Sequence, residues 1–422
     1  MSKNSAKKTS AYVEGYGCAL NISETEKLQG FLEKNCFQLV DDFKKADIVV
    51  INTCAVKLTT EQRMLSRIRK LFAEKKNNSK LVAFGCLSAA RGEEIKKISK
   101  KIIVLNTHLE SLCKALSLKN QSFSPKIKSI NCKDNISIIP LSTGCVGNCT
   151  YCITKIARGE LRSYSENEIV KAFEREVKVS GEIWLTAQDS GCYGFDRKSS
   201  LPKLLKKLLQ TDGNYFIRLG MMNPNNFKKV HRQLLPLFKN KHLYKFLHLP
   251  VQSGSDKILK AMGRKYSRSD FLECVRLARG ACPSITISTD IIVGFPGETQ
   301  KDFEDTLSLL VKAKPDVVNI SRYGKRLGTA AVKMGGQVCE LEKKSRSRKI
   351  SAFCKKLFLE KNKLLIGKEF EAFVSEMANN GFFTARTQNY RPVLVKGRFG
   401  EFIRVRMNRA HSNFFDGEII SI

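Results

Sequence analysis

Apolar residues follow two rhythms along this chain. Over residues 11–121, short unbroken runs alternate with longer stretches whose apolar positions recur at helical spacing; the runs are Ala11-Tyr12-Val13, Ile48-Val49-Val50-Ile51 and Leu81-Val82-Ala83-Phe84. A strand buried on both faces shows such a run, and strands alternating with helices imply a parallel sheet with helices on its faces. The spacing predicts a first helix opened by a capping box, Ser23 with Glu26, and a second opening near Thr59 and Gln62. Residues 123–135, rich in Ser, Lys and Asn, read as a linker. Six further strand–helix units are predicted from residue 136 to about 325, with strands ending near Ser142, Gln188, Met221, Val251, Gly294 and Tyr323. One helix carries a capping box at Ser165 and Glu168, and another runs over residues 268–278. Six units with the unusual residues gathered after the strands suggest a partial (βα)6 barrel whose site lies at its carboxyl face. Residues 338–366 read as a long charged helix.

Past residue 367 the rhythm shortens. Strands are predicted over residues 370–374, 382–387, 392–395, 402–407 and 418–422, separated by Asn380-Gly381, Gly397 and Asp416-Gly417. That is the pattern of a small, OB-like five-stranded β-barrel. The expected class is therefore α/β: an open parallel α/β sheet domain (1–122), a partial (βα)6 barrel with a bridging helix (136–366) and a small β-barrel (367–422).

Charge changes this picture more than hydrophobicity does. The 422 residues carry 74 Lys and Arg against 40 Asp and Glu, a formal charge of +34 spread along the chain. Such a surface suits a polyanionic partner, RNA above all. In the last domain, Arg386, Arg391, Lys396, Arg398, Arg404, Arg406 and Arg409 interleave with Phe383, Tyr390 and Phe399, so cations tracking a backbone and rings stacking on bases are expected there. Fourteen cysteines in a chain this long point to a reduced compartment and metal thiolates, not to a disulfide framework. The first ten residues lack the apolar core of a secretory signal, and no apolar run approaches a membrane span, so a cytoplasmic protein without membrane attachment is expected.

Two sets of cysteines carry the candidate chemistry. Cys145, Cys149 and Cys152 stand at C-x3-C-x2-C spacing in a turn directly after an apolar run. Three soft thiolates leave one coordination position open, on an iron–sulfur cluster or on zinc. Cys18, Cys54 and Cys86 each follow the carboxyl end of a predicted strand, the edge at which ligands bind in open α/β sheets. They read as a second three-thiolate site or as three unrelated buried thiols.

With these blocks in view, the chain resembles the radical S-adenosylmethionine (radical-SAM) methylthiotransferases from end to end, its last domain resembling the TRAM barrel of that family. The matching motifs are Asn52-Thr53-Cys54, the Cys145/Cys149/Cys152 loop, Leu185-Thr186-Ala187-Gln188-Asp189, Leu249-Pro250-Val251-Gln252-Ser253-Gly254-Ser255 and Asp290-Ile291-Ile292-Val293-Gly294-Phe295-Pro296-Gly297-Glu298. The run from Cys152 to Tyr164 is similar to the archaeal and eukaryotic branch, which acts on N6-threonylcarbamoyladenosine beside the anticodon of tRNA. Two features depart from the pattern: Leu87-Ser88-Ala89-Ala90 after Cys86, and Gly263 in Met262-Gly263-Arg264.

The resemblance implies two [4Fe-4S] clusters, one held by Cys145, Cys149 and Cys152, the other, auxiliary, by Cys18, Cys54 and Cys86. It implies S-adenosyl-L-methionine as methyl donor and radical source, the radical removing hydrogen from C2 of the adenine. Tyr151, Gln188, Asp189, Gln252, Ser253, Gly294 and Gly297 are the candidate cofactor contacts. For the tRNA anticodon stem-loop the candidates are Arg158, Arg162, Arg386, Tyr390, Arg404 and Arg406. A flavodoxin- or ferredoxin-type electron donor and a sulfur source are implied as partners. Isopentenyladenosine in tRNA, an aspartate of a ribosomal protein, and a non-enzymatic iron–sulfur RNA-binding redox sensor are the alternatives.

Overall fold

The computed structural model describes residues 8–56, 58–118 and 135–421; nearly all of the predicted linker, with Cys132, lies outside them. Two compact units emerge. The first joins Met1–Lys128 with two short stretches from the middle of the chain, Cys152–Glu160 and Gly324–Thr329, and the second holds the rest.

In the first unit, strands β1 (Ser10–Gly15), β2 (Gln38–Leu39), β3 (Ile48–Thr53), β4 (Lys80–Gly85) and β5 (Ile103–Val104) form one sheet in the order β2-β1-β3-β4-β5. Every pairing is parallel. The central strand β3 is buried along its whole length. Val49 and Ile51 enter the core on one face, Ile48 and Val50 the core on the other. That alternation explains the unbroken apolar run, because both faces need apolar side chains. Helices α1 (Ala19–Lys34), α2 (Leu58–Glu74) and α3 (Cys86–Lys96) connect strands, and α4 (Leu109–Ala115) follows β5. The expected capping box at Ser23 is not formed. Helix α1 starts five residues earlier, with Cys18 in the capping position, and Ser23 is a buried residue inside it. Docking of the apolar face of α1 onto the sheet outweighs the local capping signal.

The second unit begins with β6 (Ile136–Pro140) and the ribbon β7 (Ser142–Thr143) with β8 (Arg162–Ser163), between which the chain passes through α5 (Ile153–Arg158). Then come α6 (Glu166–Glu176), β9 (Glu182–Thr186), α7 (Leu201–Leu208), β10 (Phe216–Leu219), α8 (Pro224–Leu234), β11 (Phe246–His248), α9 (Asp256–Ala261), α10 (Arg268–Ala281), β12 (Thr286–Val293), α11 (Gln300–Ala313) and β13 (Val317–Arg322). The six expected barrel strands are present. Their hydrogen bonding divides them into two three-stranded parallel sheets, β10-β9-β6 and β11-β12-β13, linked by a single bridge between Ile217 and Leu243. Helix α6 opens on the predicted Ser165–Glu168 capping box. An unpredicted one, Ser267 with Asp270, opens α10.

Helix α12 (Glu340–Lys363) fulfils the long charged helix and leads to β14 (Glu369–Met377), β15 (Phe383–Thr387), β16 (Pro392–Val395), β17 (Phe402–Ala410) and β18 (Phe415–Ser421). These strands close into a barrel in the order β14-β15-β16-β18-β17, around a core that includes Val374, Val393, Val405 and Phe415. Asn380-Gly381 is a turn with both residues at positive φ, as their types demand. Asp416-Gly417 is not a turn but part of β18, where the register with β17 shifts at a bulge. Among the described residues no helix is long and apolar enough to cross a membrane.

Candidate active site

The first unit gathers Cys18, Cys54 and Cys86 at the carboxyl edge of its sheet. Cys54 directly follows β3, Cys86 directly follows β4, and Cys18 caps α1 three residues beyond β1. A Cβ on Gly17 would lie 2.9 Å from the Cys54 sulfur, so the β1 loop runs against that thiol. Asn21, buried in the first turns of α1, staples the edge together. Its Nδ2 donates to the carbonyl of Tyr16 at 2.9 Å and to that of Thr53 at 3.0 Å. Asn52 donates to the Asn21 carbonyl at 2.9 Å and to Thr25 Oγ1 at 3.0 Å, and Thr53 Oγ1 donates to the Phe84 carbonyl at 2.6 Å. The Asn52-Thr53-Cys54 motif is thus two strand-end clamps followed by a ligand candidate. The unusual Leu87-Ser88 pair fits the same frame, Leu87 in the core and Ser88 Oγ 3.2 Å from Thr53 Oγ1. Gly85 has φ 96°, and a side chain there would drive into Asn52 and the Thr53 backbone.

Burial pushes the Cys54 thiol up and the Cys86 thiol up to about 12. Arg158, on α5, opposes that rise. Its Nε donates to Cys86 Sγ at 3.1 Å, while its Nη atoms bind Glu24 at 2.5 and 2.7 Å and Asn21 Oδ1 at 2.8 Å. The Arg158 side chain is 1% exposed, so it is not on a surface that meets RNA phosphates. The other inserted stretch brings Arg326, whose Nη atoms bind Glu61 at 2.9 Å and the Val56 carbonyl at 2.8 Å, fixing the loop after Cys54. Neither arginine's place was legible, since each is distant in sequence from the sheet it joins.

In the second unit, the loop after β7 brings the sulfurs of Cys145 and Cys149 to Gly147. The Gly147 amide donates to Cys145 Sγ at 3.2 Å, and a Cβ at Gly147 would lie 3.3 Å from that sulfur and 3.9 Å from Cys149 Sγ. Arg264 Nη1 donates to Cys149 Sγ at 3.2 Å and to Asn223 Oδ1 at 2.7 Å. Thr150 is held by the Met262 carbonyl at 3.0 Å and the Ala261 carbonyl at 2.9 Å. This close packing accounts for Gly263, since a Cβ there would lie 2.9 Å from the Asn148 carbonyl. The loop borders a polar cavity of about 200 Å³ lined by Gly147, Cys149, Asn223, Asn226, Lys229 and Arg264. Cys152 caps α5 and begins the stretch that belongs to the first unit. Among the described residues, no three Cys, His, Asp or Glu side chains are already placed as a metal-ligand group. The donor chemistry nevertheless fits iron–sulfur clusters: three soft thiols in each set, with N–H donors already aimed at Cys145, Cys149 and Cys86.

The candidate cofactor residues divide. Gln188 follows β9 and keeps a buried Oε1 without a hydrogen-bond partner, an acceptor suited to a ligand. Gln252 is held at φ 75° between the Asp290 carbonyl and the Ile292 amide, a left-handed backbone seldom tolerated outside functional turns. Tyr151 packs edge-on to Phe295 with ring centroids 6.1 Å apart. Asp189 is spent internally: its carboxylate accepts from Gly191 N at 3.0 Å and from the amides of Asn223 and Asn226 at 2.7 Å each, although burial raises its pKa. Ser253 Oγ accepts from the Ser255 amide within its turn. Gly294 faces the Lys343 side chain and donates to Glu298, so its open side is already filled. Gly297 has no heavy atom within 4 Å of its missing Cβ and remains open. Sequence reasoning missed Arg264, and also His248, whose Nε2 lies 2.9 Å from Asp290 Oδ1, itself accepting from Asn319 at 2.8 Å. Burial works against that carboxyl, yet these two donors hold it below its usual range.

The expected RNA residues divide too. Tyr390 is no stacking platform: its ring packs 4.8 Å from Tyr244 and 4.7 Å from Phe246, with the guanidinium groups of Arg218 and Arg386 over its ring at 5.3 and 5.2 Å. Arg386 binds Glu376 at 2.7 Å, and Arg391 binds Asp316 at 2.6 Å. Arg404 and Arg406 are at the surface and share Glu369, at 3.1 and 2.9 Å. Arg162, Lys396, Arg398 and Arg409 are exposed.

Comparison with known proteins finds three family matches along the chain. The Radical SAM superfamily matches residues 139–310, the uncharacterized protein family UPF0004 residues 10–106, and the TRAM domain residues 363–420. The probable threonylcarbamoyladenosine tRNA methylthiotransferase of Pyrococcus horikoshii is 36% identical over 97% of this chain and 99% of its own. Its counterpart in Methanocaldococcus jannaschii is 37% identical over 97% of this chain and 96% of its own. Among solved structures, the cobalamin-dependent S-adenosylmethionine radical enzyme OxsB shares the fold with a TM-score of 0.53 at 13% identity, over 81% of this chain and 56% of OxsB.

Proposed function

Since this chain belongs to the radical-SAM methylthiotransferases, we propose that it inserts a methylthio group at C2 of N6-threonylcarbamoyladenosine next to the anticodon of tRNA. The observation that carries this reading is the pair of three-thiol sets, one in a local loop and one collected from three strand ends, in a chain that its relatives match over nearly its whole length. In this reading the chain divides into an N-terminal domain (1–122), a linker (123–135), the radical-SAM core with its bridging helix (136–366) and a TRAM domain (367–422).

Cys145, Cys149 and Cys152 would hold one [4Fe-4S] cluster, and Cys18, Cys54 and Cys86 an auxiliary one. When bound, the clusters and S-adenosylmethionine supply an electron, a hydrogen-abstracting radical, and the sulfur and methyl group that are transferred. The protein's part is placement. Gly147 and Arg264 hold the sulfurs of Cys145 and Cys149 by N–H donation, which keeps the loop in one geometry before any ligand arrives. The unpaired Gln188 acceptor and the constrained Gln252 turn offer polar contacts to the cosubstrate. Arg162, Lys396, Arg398, Arg404, Arg406 and Arg409 offer surface cations to RNA phosphates. A flavodoxin- or ferredoxin-type donor would return the spent electrons and a separate source would replace the transferred sulfur, in a reduced, cytoplasmic setting.

Mass spectrometry of tRNA nucleosides from cells lacking the gene tests the reading. The 2-methylthio-threonylcarbamoyl nucleoside should disappear and its unmethylthiolated precursor accumulate. Persistence of that nucleoside with loss of an isopentenyladenosine derivative would overturn the substrate assignment.

A further inference from the structure

Arg158 stands where its neighbours in sequence give no reason to put it. It follows the Cys145/Cys149/Cys152 motif by a few residues, yet its guanidinium is buried in the first unit among Glu24, Asn21 and Cys86. A buried guanidinium is costly unless its charge is paired and its N–H groups are used. Here Glu24 takes one N–H from each Nη at 2.5 and 2.7 Å, and Asn21 Oδ1 takes another from Nη2. The fork pairing with Glu24 fixes the plane of the guanidinium and so fixes the direction of Nε–H, which points at Cys86 Sγ from 3.1 Å. A neutral structural thiol asks for no such partner. A sulfur that carries negative charge does, and N–H donors to sulfur both orient cluster ligands and stabilise the reduced cluster.

Resting on the auxiliary-cluster reading above, we propose that Arg158 is the positioning residue of the Cys18/Cys54/Cys86 site: through Nε it orients the Cys86 sulfur and raises the reduction potential of the cluster held there. Glu24 and Asn21 serve by holding Arg158. An arginine that follows the radical-SAM motif thereby belongs to the auxiliary centre, not to the RNA surface.

The test uses the full chain with Cys145, Cys149 and Cys152 all changed to Ala, so that only the auxiliary cluster forms on anaerobic reconstitution with iron and sulfide. Iron and sulfide per chain, and an EPR-monitored redox titration, are read for native Arg158, for Arg158→Lys and for the charge-balanced pair Arg158→Met/Glu24→Gln. The pair should bind iron about tenfold more weakly, and what cluster it holds should titrate at a more negative potential. Arg158→Lys keeps the charge but not the Nε–H, and should fall between. It also keeps a partner for Glu24, so it reports even if the double variant fails to fold. Unchanged iron content and potential in Arg158→Lys and in the double variant would overturn the role of Arg158 while leaving the cluster assignment intact. No cluster at all with Arg158 in place would overturn the ligand assignment, and this inference with it.

Discussion

The two cysteine sets are built by opposite means. Cys145 and Cys149 sit in one turn, where Gly147 between them donates to one sulfur and clears space for both. Cys18, Cys54 and Cys86 follow three different strands, and nothing local joins them. A shared sheet edge, clamped by Asn21, Asn52 and Thr53, does so instead. A local loop can therefore hold its geometry as long as its few backbone contacts persist, whereas the assembled site depends on the cooperative stability of a whole domain. Both sets recruit arginine to sulfur, Arg264 to Cys149 and Arg158 to Cys86. A guanidinium can give one N–H to a sulfur while its others stay bonded elsewhere, which makes it suited to holding a ligand in place.

The largest effect that would sharpen this contrast separates the two chemistries. Cys149→Ala should abolish formation of 5′-deoxyadenosine and of methylthiolated tRNA together. Cys86→Ala should abolish only the methylthiolated product, with 5′-deoxyadenosine still formed, both read by chromatography of the reaction mixture. Methylthiolation surviving in Cys86→Ala would break the comparison at its root.

Next in size are changes to the scaffolds. Gly85→Ala forces a side chain onto a left-handed backbone against Asn52 and Thr53, and should cost about 2–4 kcal/mol of domain stability in urea unfolding. Gly147→Ala should cost under about 1 kcal/mol, its Cβ meeting only thiols at 3.3 and 3.9 Å, yet it should lower the iron taken up by the neighbouring loop. Equal destabilisation by both would mean that the two sites do not differ in kind.

Asn21→Ala removes the Nδ2 bonds to the carbonyls of Tyr16 and Thr53 and the bond that Oδ1 accepts from Arg158, and should cost about 2–3 kcal/mol. The smallest effect concerns RNA. Arg398→Ala with Arg409→Ala should weaken tRNA binding several-fold and flatten its log–log salt dependence by about two. Tyr390→Phe should leave the binding as it is, because that ring serves the packing between the barrel and β11. Loss of affinity in Tyr390→Phe would instead assign the Tyr390 hydroxyl to the RNA.

Much of this was legible in residue order. Continuous apolar runs marked strands buried on both faces, and alternation marked the barrel strands. The Cys145/Cys149/Cys152 spacing declared its site without help from the fold. Errors arose where a local signal met a stronger tertiary one. Ser23 with Glu26 has the form of a cap, but the helix begins at Ala19 because its apolar face docks along the sheet. Asp416-Gly417 has the form of a turn, but strand pairing with β17 runs through it. Asp189 and Tyr390 have the chemistry of binding residues, and the one is consumed by Asn223 and Asn226, the other by an aromatic cluster.

What residue order alone determined is the set of elements, the two groups of thiols and the basic character of the chain, since periodicity, ligand spacing and charge are properties of neighbours along the backbone. The partners of each buried polar group were decided only by the tertiary structure. A desolvated guanidinium must find a carboxylate wherever the chain brings one within reach, and Glu24 meets Arg158 across 134 residues of sequence.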